Sequence, residues 1–582
     1  MPLKEIKDYT LGRSGDKSLI LLGNDGYIFC NIGKYKIYYP EKYSASLKND
    51  IEVYADGETN TIITTIQNKY INGIFALKDG SDWYVFGPFI DTSLAYCVTD
   101  NEILLSDSTF TIAYRKHFKV SKAVISAYLV AGLPFEPFQN MSFWEEISKI
   151  RPFHILKICS GIITESKLTY NFNKENDIGQ ITKLLRDTII SKIFTQNDSF
   201  ESVSCDVSGG VDSASIAYIL NKITSNPMIF HAESDESANS DTKWAQYIAD
   251  ELRLKLNKLP SIDKNSTRFS VDRHYIGNNI PDAPLLWGDT EGYVEEMLHM
   301  LTDKQNHLHI IGIGGDELFA SIPAVPWSII REEGIINSIP FILKYCILKR
   351  RPFFCCLRDL ADNTSLKDEV RHTIENGFSE SKRNSFRELS WSGSLVLPQW
   401  LSISAKSDAK VRISSIYSEK FQELSENRSE YQRLQSLIFQ KEVFSQIKQI
   451  AGDDIEWYAP FLDAEVIKTA LKIPSKYCLD PDKTKPMLYE SLKGIVPLEV
   501  FTRGVKGDYS SAFYNDYRAA ASKWIGRTKD FLLSKIGIID SECLDRELSM
   551  PSSKTDRVDN FMRLCNVERW LRQVNKYIEI GV

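Results

Sequence analysis

The stretch Ser208-Gly209-Gly210-Val211-Asp212-Ser213 decides the fold of the second half of this chain. It follows a strand-like run at 203–207 and opens a helix-like run at 214–220. A strand, a turn of serine and glycine and a helix N-terminus make a cradle for phosphate groups, because glycines allow close approach and free N–H groups face the anion. All six residues are therefore predicted to bind a nucleotide, and the Asp212 carboxylate is predicted to bind Mg²⁺ as well.

The loop is not of the Walker type, since the pattern G-x-x-x-x-G-K-[ST] does not occur in the sequence. It resembles the loop of ATP pyrophosphatases, which bind the pyrophosphate of ATP and release it while an acyl-adenylate forms. The resemblance implies ATP and Mg²⁺ as ligands. An isolated Ser-Gly-Gly turn in an ordinary α/β protein is the alternative reading, and the complete run of six residues argues against it.

The composition is that of a soluble globular protein, with 582 residues, 43% of them hydrophobic and 25% charged. The net charge of −7 gives no reason to expect a nucleic-acid partner. No apolar run reaches the roughly 18 residues of a membrane span, and no signal-peptide pattern follows Met1, so we expect a cytoplasmic protein. The ten cysteines lack metal-site spacing and are predicted to be reduced thiols.

Two halves of different composition meet at a polar linker near 170–177, which suggests domains at 1–172 and 173–582. The first half is rich in predicted strands, with a helix at 122–131; the strand-like runs are 19–22, 27–30, 61–66, 83–86, 154–159 and 161–170. The second half begins with a predicted helix at 181–194. It ends in a mostly helical region from 321 to 582.

The start of the second half alternates between strands and helices. The predicted strands are 203–207, 228–232 and 308–311, and the predicted helices are 211–222, 240–253 and 290–302. This alternation predicts a parallel sheet with helices on both faces and a ligand at the carboxyl ends of its strands. His307 and His309 share one face of a strand and are expected to pack rather than bind metal. The basic, aromatic stretch 344–358 is predicted to be an amphipathic core helix ending at Pro352, with a partner surface as the alternative.

A second motif, Gly312-Ile313-Gly314-Gly315-Asp316-Glu317, again follows a predicted strand and opens a helix. Gly312, Gly314 and Gly315 are predicted to bind the nucleotide. Asp316 is placed to supply a second carboxylate for the metal beside Asp212.

Together the two motifs resemble those of asparagine-synthetase-like ATP-dependent amidotransferases. Five further stretches support the resemblance: Gly73–Gly80, Phe143–Pro152, Pro460-Phe461-Leu462-Asp463, Lys485-Pro486-Met487-Leu488 and Pro497–Lys506. The resemblance implies an α/β fold with two parts. The first is an N-terminal Ntn-type, class II glutamine-amidotransferase-like sandwich. The second is an ATP-pyrophosphatase domain (adenine nucleotide α-hydrolase-like) with a helical C-terminal part.

Two departures from the family pattern narrow the expected reaction. The glutaminase half of the family uses an N-terminal cysteine as nucleophile, whereas position 2 is Pro2 and the first cysteine is Cys30. Glutamine hydrolysis is therefore not expected. At Ile313 the asparagine synthetases carry glutamate and the β-lactam synthetases carry a tyrosine of a base dyad. Isoleucine cannot accept a proton, so we expect an amine whose neutral form is already a substantial fraction at cytoplasmic pH, such as a peptide α-amine with a pKa of about 7.7–8.0.

In these respects the chain resembles the lasso peptide cyclases. Three stretches carry this resemblance besides the second motif: Leu397–Leu401, Arg503-Gly504-Val505-Lys506-Gly507-Asp508-Tyr509 and Glu568–Arg572. The resemblance implies adenylation of an Asp or Glu side chain of a linear core peptide, followed by attack of the peptide N-terminal amine. It places Lys506 at the catalytic lysine with Arg503 as a helper. It also implies a leader peptidase and a precursor-recognition protein as partners.

Two other readings of the sequence remain open. One is a different ligase on the same scaffold, such as a β-lactam-type synthetase or a small-amine ligase; Ile313 argues against the β-lactam type. The other is a catalytically silent binding protein, against which the complete loop, Asp316 and Lys506 argue.

Overall fold

The computed structural model describes residues 6–580 except for the following: 24–25, 56, 71–72, 132–137, 169, 171, 235–238, 261–265, 379–389, 392–394, 419–422, 453–454, 481–482, 504–506, 508–509 and 551–554. The first part of the chain forms, in order, β1 (Lys7–Ser14), β2 (Lys17–Gly23), β3 (Tyr27–Ile32), β4 (Tyr35–Pro40), α1 (Leu47–Glu52), α2 (Thr59–Lys69), β5 (Phe75–Asp79), β6 (Asp82–Phe86), β7 (Ala95–Val98), β8 (Glu102–Ser106), α3 (Thr109–Lys116), α4 (Lys122–Ala131), β9 (Ser148–Lys149), β10 (His154–Cys159) and β11 (Ile162–Lys167).

These strands build two sheets that pack face to face. One sheet has the order β1-β2-β8-β7-β9 and the other β11-β10-β6-β5-β4-β3, with antiparallel pairing except between β2 and β8. Alternate residues point to opposite faces of a strand, so Leu19 and Leu21 of β2 meet Trp83 and Val85 of β6 in the core between the sheets. Helices α1 and α2 cover the outer face of one sheet, and α3 and α4 that of the other. The sandwich therefore has four layers.

The strand predicted at 61–66 is wrong, because these residues lie inside α2. The apolar positions Ile62, Ile63 and Ile66 are all fully buried, and their spacing matches one face of a helix rather than an alternating strand. The Thr65 hydroxyl donates a hydrogen bond to the Thr61 carbonyl, a contact available only within a helical turn. The β-branched residues suggested a strand, but only a helix buries all three isoleucines against the sheet.

The second part forms α5 (Ile178–Asn197), β12 (Ser202–Asp206), α6 (Val211–Ile223), β13 (Met228–Ala232), α7 (Asp241–Leu252), β14 (Leu256–Leu259), α8 (Thr290–Met300), β15 (His307–Ile310) and α9 (Gly315–Phe319). The helical region adds α10 (Val325–Glu333), α11 (Ile335–Lys349), α12 (Phe353–Leu360), α13 (Leu366–Glu375), α14 (Ile403–Ser418), α15 (Arg428–Ala451), β16 (Glu456–Tyr458), α16 (Ala464–Leu471), α17 (Pro486–Leu492), α18 (Leu498–Thr502), α19 (Ser510–Trp524), α20 (Leu532–Lys535), α21 (Ser541–Ser549) and α22 (Thr555–Val574).

The second part is organised around a parallel sheet with the order β14-β13-β12-β15-β16. The predicted strands and helices before residue 312 are confirmed, with ends that differ by at most three residues. Sequence reasoning missed β14 and β16, which are short edge strands. The central strand β12 and its neighbour β15 bring the loop 208–213 and the turn 312–314 to the same edge of the sheet.

The stretch 344–358 forms two helices rather than one. Helix α11 ends at Lys349, Arg350 adopts a left-handed conformation with φ of 52°, and Pro352 caps the start of α12. One face of α11 is buried through Ile342 and Tyr345, as a core helix would be. The opposite face exposes Ile336 and Ile347.

The two parts of the chain share an apolar core and several polar contacts. Trp144 packs against Trp570 of α22 with ring centroids 5.7 Å apart, and the Ser108 hydroxyl donates to the Asp282 carboxylate at 2.7 Å. In the closing helix, Arg569 forms a buried ion pair with Glu291. None of the helices described is both long and apolar enough to cross a membrane. All ten cysteines are free, and Cys159 is exposed.

Candidate active site

A cavity of about 770 Å³ opens at the carboxyl edge of the parallel sheet. The ends of β12, β13 and β15 form its floor, and residues of α8, α9, α15, α19 and α22 form its walls together with Lys485 and Arg503. Its position is the one that the alternating pattern of strands and helices predicts for a ligand. Nearly all of the predicted nucleotide-binding residues line it: Ser208, Gly210, Val211, Asp212, Ser213, Gly312 and Gly314.

The loop between β12 and α6 is held in shape by its own serines. The Ser208 N–H donates to the Ser213 hydroxyl at 3.0 Å, and the two serine hydroxyls lie 2.9 Å apart. Gly209 has a φ of +83°, and a Cβ there would stand 2.5 Å from the Asp241 carbonyl oxygen. Only glycine fits this position, so the loop can form an open cradle at the N-terminus of α6.

The second motif packs directly against the first. A Cβ at Gly315 would lie 2.3 Å from the carboxyl carbon of Asp212. Gly315 therefore does not line the cavity itself but allows Asp212 to approach α9. The structure thus brings the two motifs together as the sequence predicted, although more than 90 residues separate them.

Asp212 and Asp316 converge on one point, where the ammonium group of Lys485 lies. Lys485 Nζ donates to Asp212 Oδ2, and it lies 2.8 Å from Asp316 Oδ1. The Lys485 side chain is only 5% exposed. Burial lowers the pKa of Lys485, but the two carboxylates outweigh burial and raise the pKa above its usual value. Lys485 is a site residue that sequence reasoning missed; the Lys-Pro-Met-Leu stretch signalled only family resemblance.

The same convergence suits a magnesium ion. The described residues hold no cluster of three or more potential metal ligands, so the protein would offer two carboxylates. Mg²⁺ is commonly bound by one or two carboxylates together with water and substrate phosphates. Asp212 and Asp316 are the residues that would hold it.

Arg503 contacts the loop rather than open space. Its guanidinium donates to the Gly209 carbonyl and to the Asp241 carboxylate, and the side chain is 5% exposed. Asp241 also accepts a hydrogen bond from the Gly507 N–H at 3.1 Å. Asp241 therefore ties the phosphate loop to both sides of the segment 504–506. Lys506, the predicted catalytic lysine, lies outside the described residues.

Besides Asp316, the second motif places an isoleucine and a second acid on the cavity wall. Ile313 lines the cavity, so the side chain at this position is apolar, as the sequence indicated. Glu317 also lines the cavity and accepts a hydrogen bond from Gln440 at 2.8 Å. Burial raises the pKa of Glu317 above its usual value.

A separate bay of the cavity is formed by aromatic and apolar side chains. Trp287, Phe513 and Met562 line it, and Arg268 stands over the Phe513 ring at 5.8 Å. Arg268 also forms ion pairs with Asp289 and Asp516. Burial raises the pKa of Asp289, although Arg268 opposes the effect. The bay offers apolar surface together with an arginine that is paired with two aspartates, a combination that suits an organic substrate.

Comparisons with known proteins identify the family to which the chain belongs. A solved structure of the NH3-dependent NAD synthetase from Campylobacter jejuni subsp. jejuni NCTC 11168, in complex with the nitrate ion, is 16% identical. It covers 43% of this chain and 100% of its own, with a TM-score of 0.19, which is too low to bear on the fold. The comparison with curated proteins gave no match. The asparagine synthase family matches residues 184–572, about two thirds of the chain, and the protein belongs to this family.

Proposed function

We propose that this protein is an ATP-dependent, AMP-forming amide ligase that closes a macrolactam in a lasso peptide. The asparagine synthase family consists of ATP-using, amide-forming enzymes. One observation carries the finer proposal: the phosphate loop, the converging carboxylates and the aromatic bay open into one cavity, and at position 313 its lining residue is an isoleucine, which cannot accept a proton. Such a site suits a peptide that brings its own α-amine, with a pKa of about 7.7–8.0.

The first step activates a carboxylate. An Asp or Glu side-chain oxygen of the core peptide attacks the α-phosphorus of ATP, and the bond to pyrophosphate breaks. The N–H groups in the first turn of α6 hold the departing pyrophosphate. When bound, Mg²⁺ neutralises phosphate charge. Lys485 adds a fixed cation beside Asp212 and Asp316, and Arg503 keeps the loop backbone in position.

The second step forms the ring. The N-terminal amine of the peptide attacks the acyl carbon, the C–O bond to AMP breaks, and one proton leaves the nitrogen. Negative charge develops on the acyl oxygen and on the departing phosphate. Lys506 is the cation proposed to stabilise this charge, in line with the family resemblance of its segment. The Asp241 contacts to Arg503 and Gly507 on both sides of that segment support the placement.

The N-terminal part is proposed to be a class II glutamine-amidotransferase-like domain at 1–172 that serves as a scaffold, with the synthetase domain at 173–582. The four-layer arrangement of α1–α2, two sheets and α3–α4 supports this Ntn-type assignment. The proposed partners are a leader peptidase and a precursor-recognition protein, which would deliver the linear core peptide.

The proposal is tested by exchange of labelled pyrophosphate into ATP in the presence of linear peptides. The peptides carry a free N-terminus and an Asp or Glu side chain at varied positions. We expect exchange that depends on that side chain and is lost with its Asn or Gln counterpart. The Asp212→Asn variant should show no exchange, because it removes a charge that the metal needs. Exchange stimulated by a free small amino acid, and by none of the peptides, would favour a small-amine ligase instead.

A further inference from the structure

A chain of hydrogen bonds runs along one face of β12 beneath the cavity. Residues two apart on a strand point to the same side, so Ser202, Ser204 and Asp206 share this face. His307 and His309 occupy the matching face of the parallel neighbour β15. His307 lies 2.7 Å from both Ser202 and Ser204, and the Ser204 hydroxyl lies 2.7 Å from His309 Nδ1. The two histidines are thus engaged in packing and hydrogen bonding, as predicted.

This series of hydrogen bonds ends at Asp206, and both oxygens of the Asp206 carboxylate have a partner. The Tyr293 hydroxyl donates to Oδ2 at 2.7 Å, and His309 Nε2 lies 3.3 Å from Oδ1. Burial and the neighbouring carboxylate raise the pKa of Tyr293 well above its usual value, so Tyr293 remains a donor. The Trp457 ring packs against His309 with centroids 4.9 Å apart. These contacts fix the direction in which Asp206 faces.

The Asp206 side chain is 25% exposed, and the residue lines the cavity. An ionised carboxylate only accepts hydrogen bonds. Within the described part of the chain, no lysine or arginine forms an ion pair with Asp206. A carboxylate in this setting repels phosphate groups, so it suits a part of ATP that carries hydrogen-bond donors. Only the ribose hydroxyls and the adenine amino group of ATP can donate.

The position of Asp206 favours the ribose. Asp206 lies two residues before Ser208, and two residues of a strand advance by about 7 Å. The ribose follows directly after the α-phosphate, whereas the adenine amino group is at the far end of the nucleotide. Phe230 and Ala232, at the end of the neighbouring β13, give the cavity an apolar wall beyond Asp206.

We propose that Asp206 accepts a hydrogen bond from a ribose hydroxyl of ATP, and that Tyr293 and His309 are positioning residues that aim its carboxylate. The proposal rests on the ATP site of the proposed function and is independent of the peptide chemistry. In other parallel-sheet folds a carboxylate likewise accepts a hydrogen bond from a ribose hydroxyl, and the nucleotide lies at the carboxyl ends of the strands.

The test is the affinity of the full-length protein for ATP, 2′-deoxy-ATP and 3′-deoxy-ATP with Mg²⁺, measured by titration calorimetry without peptide. The wild-type protein should bind ATP about ten- to a hundred-fold more tightly than at least one deoxy analogue, because a charged hydrogen bond is lost. The Asp206→Ala variant should bind ATP and that analogue equally. Asp206→Asn keeps the shape of the side chain and should reduce the preference, which guards against misfolding of the alanine variant.

The positioning role has its own readout. Tyr293→Phe should lower the ratio of ATP to deoxy-ATP affinity while leaving the affinity for deoxy-ATP nearly unchanged. Tyr218→Phe is the matched control, since Tyr218 is buried on α6 and does not line the cavity. A merely structural role of Tyr293 would weaken binding of both nucleotides equally.

Three results would overturn the proposal. The first is a wild-type protein that binds ATP and both deoxy analogues alike. The second is an Asp206→Ala variant that keeps the full preference for ATP. The third is a wild-type protein that discriminates against inosine triphosphate but not against the deoxy analogues, together with loss of this discrimination in Asp206→Ala. That result would assign Asp206 to the adenine amino group. Failure of peptide exchange with normal ATP binding would contradict only the proposed function, and absence of ATP binding would contradict both.

Discussion

An ion pair in the N-terminal sandwich and an ion pair beside the cavity of the parallel-sheet part differ in how far they are exposed to solvent. In the sandwich, the Lys34–Asp79 pair leaves the lysine side chain 60% exposed. Beside the cavity, the Arg503–Asp241 pair leaves the two side chains only 5% and 6% exposed. Burying two charges costs free energy, and a buried ion pair often adds no net stability. Such a pair therefore indicates a requirement other than stability, such as binding or catalysis. The exposed pair costs little to desolvate, whereas the buried pair at the cavity edge is consistent with charge retained for the proposed reaction.

The strongest challenge to this comparison is removal of the proposed catalytic cation. Lys506→Ala should slow ring closure by about 10²–10³-fold, because a fixed charge aimed at the transition state is lost. Pyrophosphate exchange and ring closure are followed separately by isotope incorporation and mass spectrometry. Lys493→Ala, which changes an exposed lysine, serves as the control and should leave both rates unchanged. Wild-type rates of both steps in Lys506→Ala would remove Lys506 from the mechanism.

Lys485→Met tests whether the carboxylates at the cavity edge destabilise the protein until a bound cation neutralises them. Two carboxylates lose their shared counterion, so the metal-free variant should lose about 3 kcal/mol of stability. Water screens part of the charge of Asp316, whose side chain is half exposed. Saturating Mg²⁺ should restore more stability in the variant than in the wild-type protein. Urea unfolding with and without Mg²⁺ measures the difference. An equal effect of Mg²⁺ on both proteins would place the metal elsewhere.

A pair of small core substitutions, one in each part of the protein, tests the same comparison with a smaller expected loss of stability. Ile158→Val in the sandwich and Ile216→Val in α6 each remove one methylene from a fully buried site. Each should destabilise the protein by about 1 kcal/mol. Exchange activity per folded molecule should be unchanged for both variants, because neither side chain lines the cavity. A selective loss of activity in the sandwich variant would show that the N-terminal part takes a direct part in catalysis.

Lys468, where the two parts of the chain meet, gives the smallest expected effect. Its ammonium donates to Asn68 and lies 4.2 Å from the centre of the Phe89 ring. Burial lowers the pKa of Lys468 from 10.5 to about 8, against the opposing effect of Glu465 and Asp463. Between these two values the unfolded chain binds more protons than the folded one, so this lysine makes stability rise with pH.

Lys468→Met should remove that part of the pH dependence. Unfolding by urea at pH 7 to 10 compares it with the wild-type protein and with a Lys183→Met control, which changes an exposed lysine of α5. Identical pH profiles for wild type and Lys468→Met would show that Lys468 is not held in a desolvated site.

The local parts of the fold and site were predictable from sequence, because they follow from short patterns. The loop 208–213, the turn 312–315 and the strands that precede them are encoded by adjacent residues with fixed conformational needs. The contacts of Lys485 were not predictable, since its partners lie 273 residues away at Asp212 and in the second motif. The same holds for Asp206, whose role depends on Tyr293 and His309 from elements that only the tertiary fold brings together.

For Arg503, the family resemblance predicted a role and the structure supplied the contacts of the side chain. The sequence indicated a helper for the reaction, and the structure shows its guanidinium bonded to the loop backbone and Asp241. The 61–66 segment shows the converse, since local β-propensity favoured a strand and packing of α2 against the sheet overrode it.

The most direct test of the central claim is the mass of a linear core peptide after incubation with the protein, ATP and Mg²⁺. We expect loss of one water from the free-amine peptide, with one AMP formed per ring. A twin peptide with an acetylated N-terminus should support pyrophosphate exchange but keep its mass. Equal loss of water from the acetylated twin, or ring closure accompanied by ADP instead of AMP, would contradict the account.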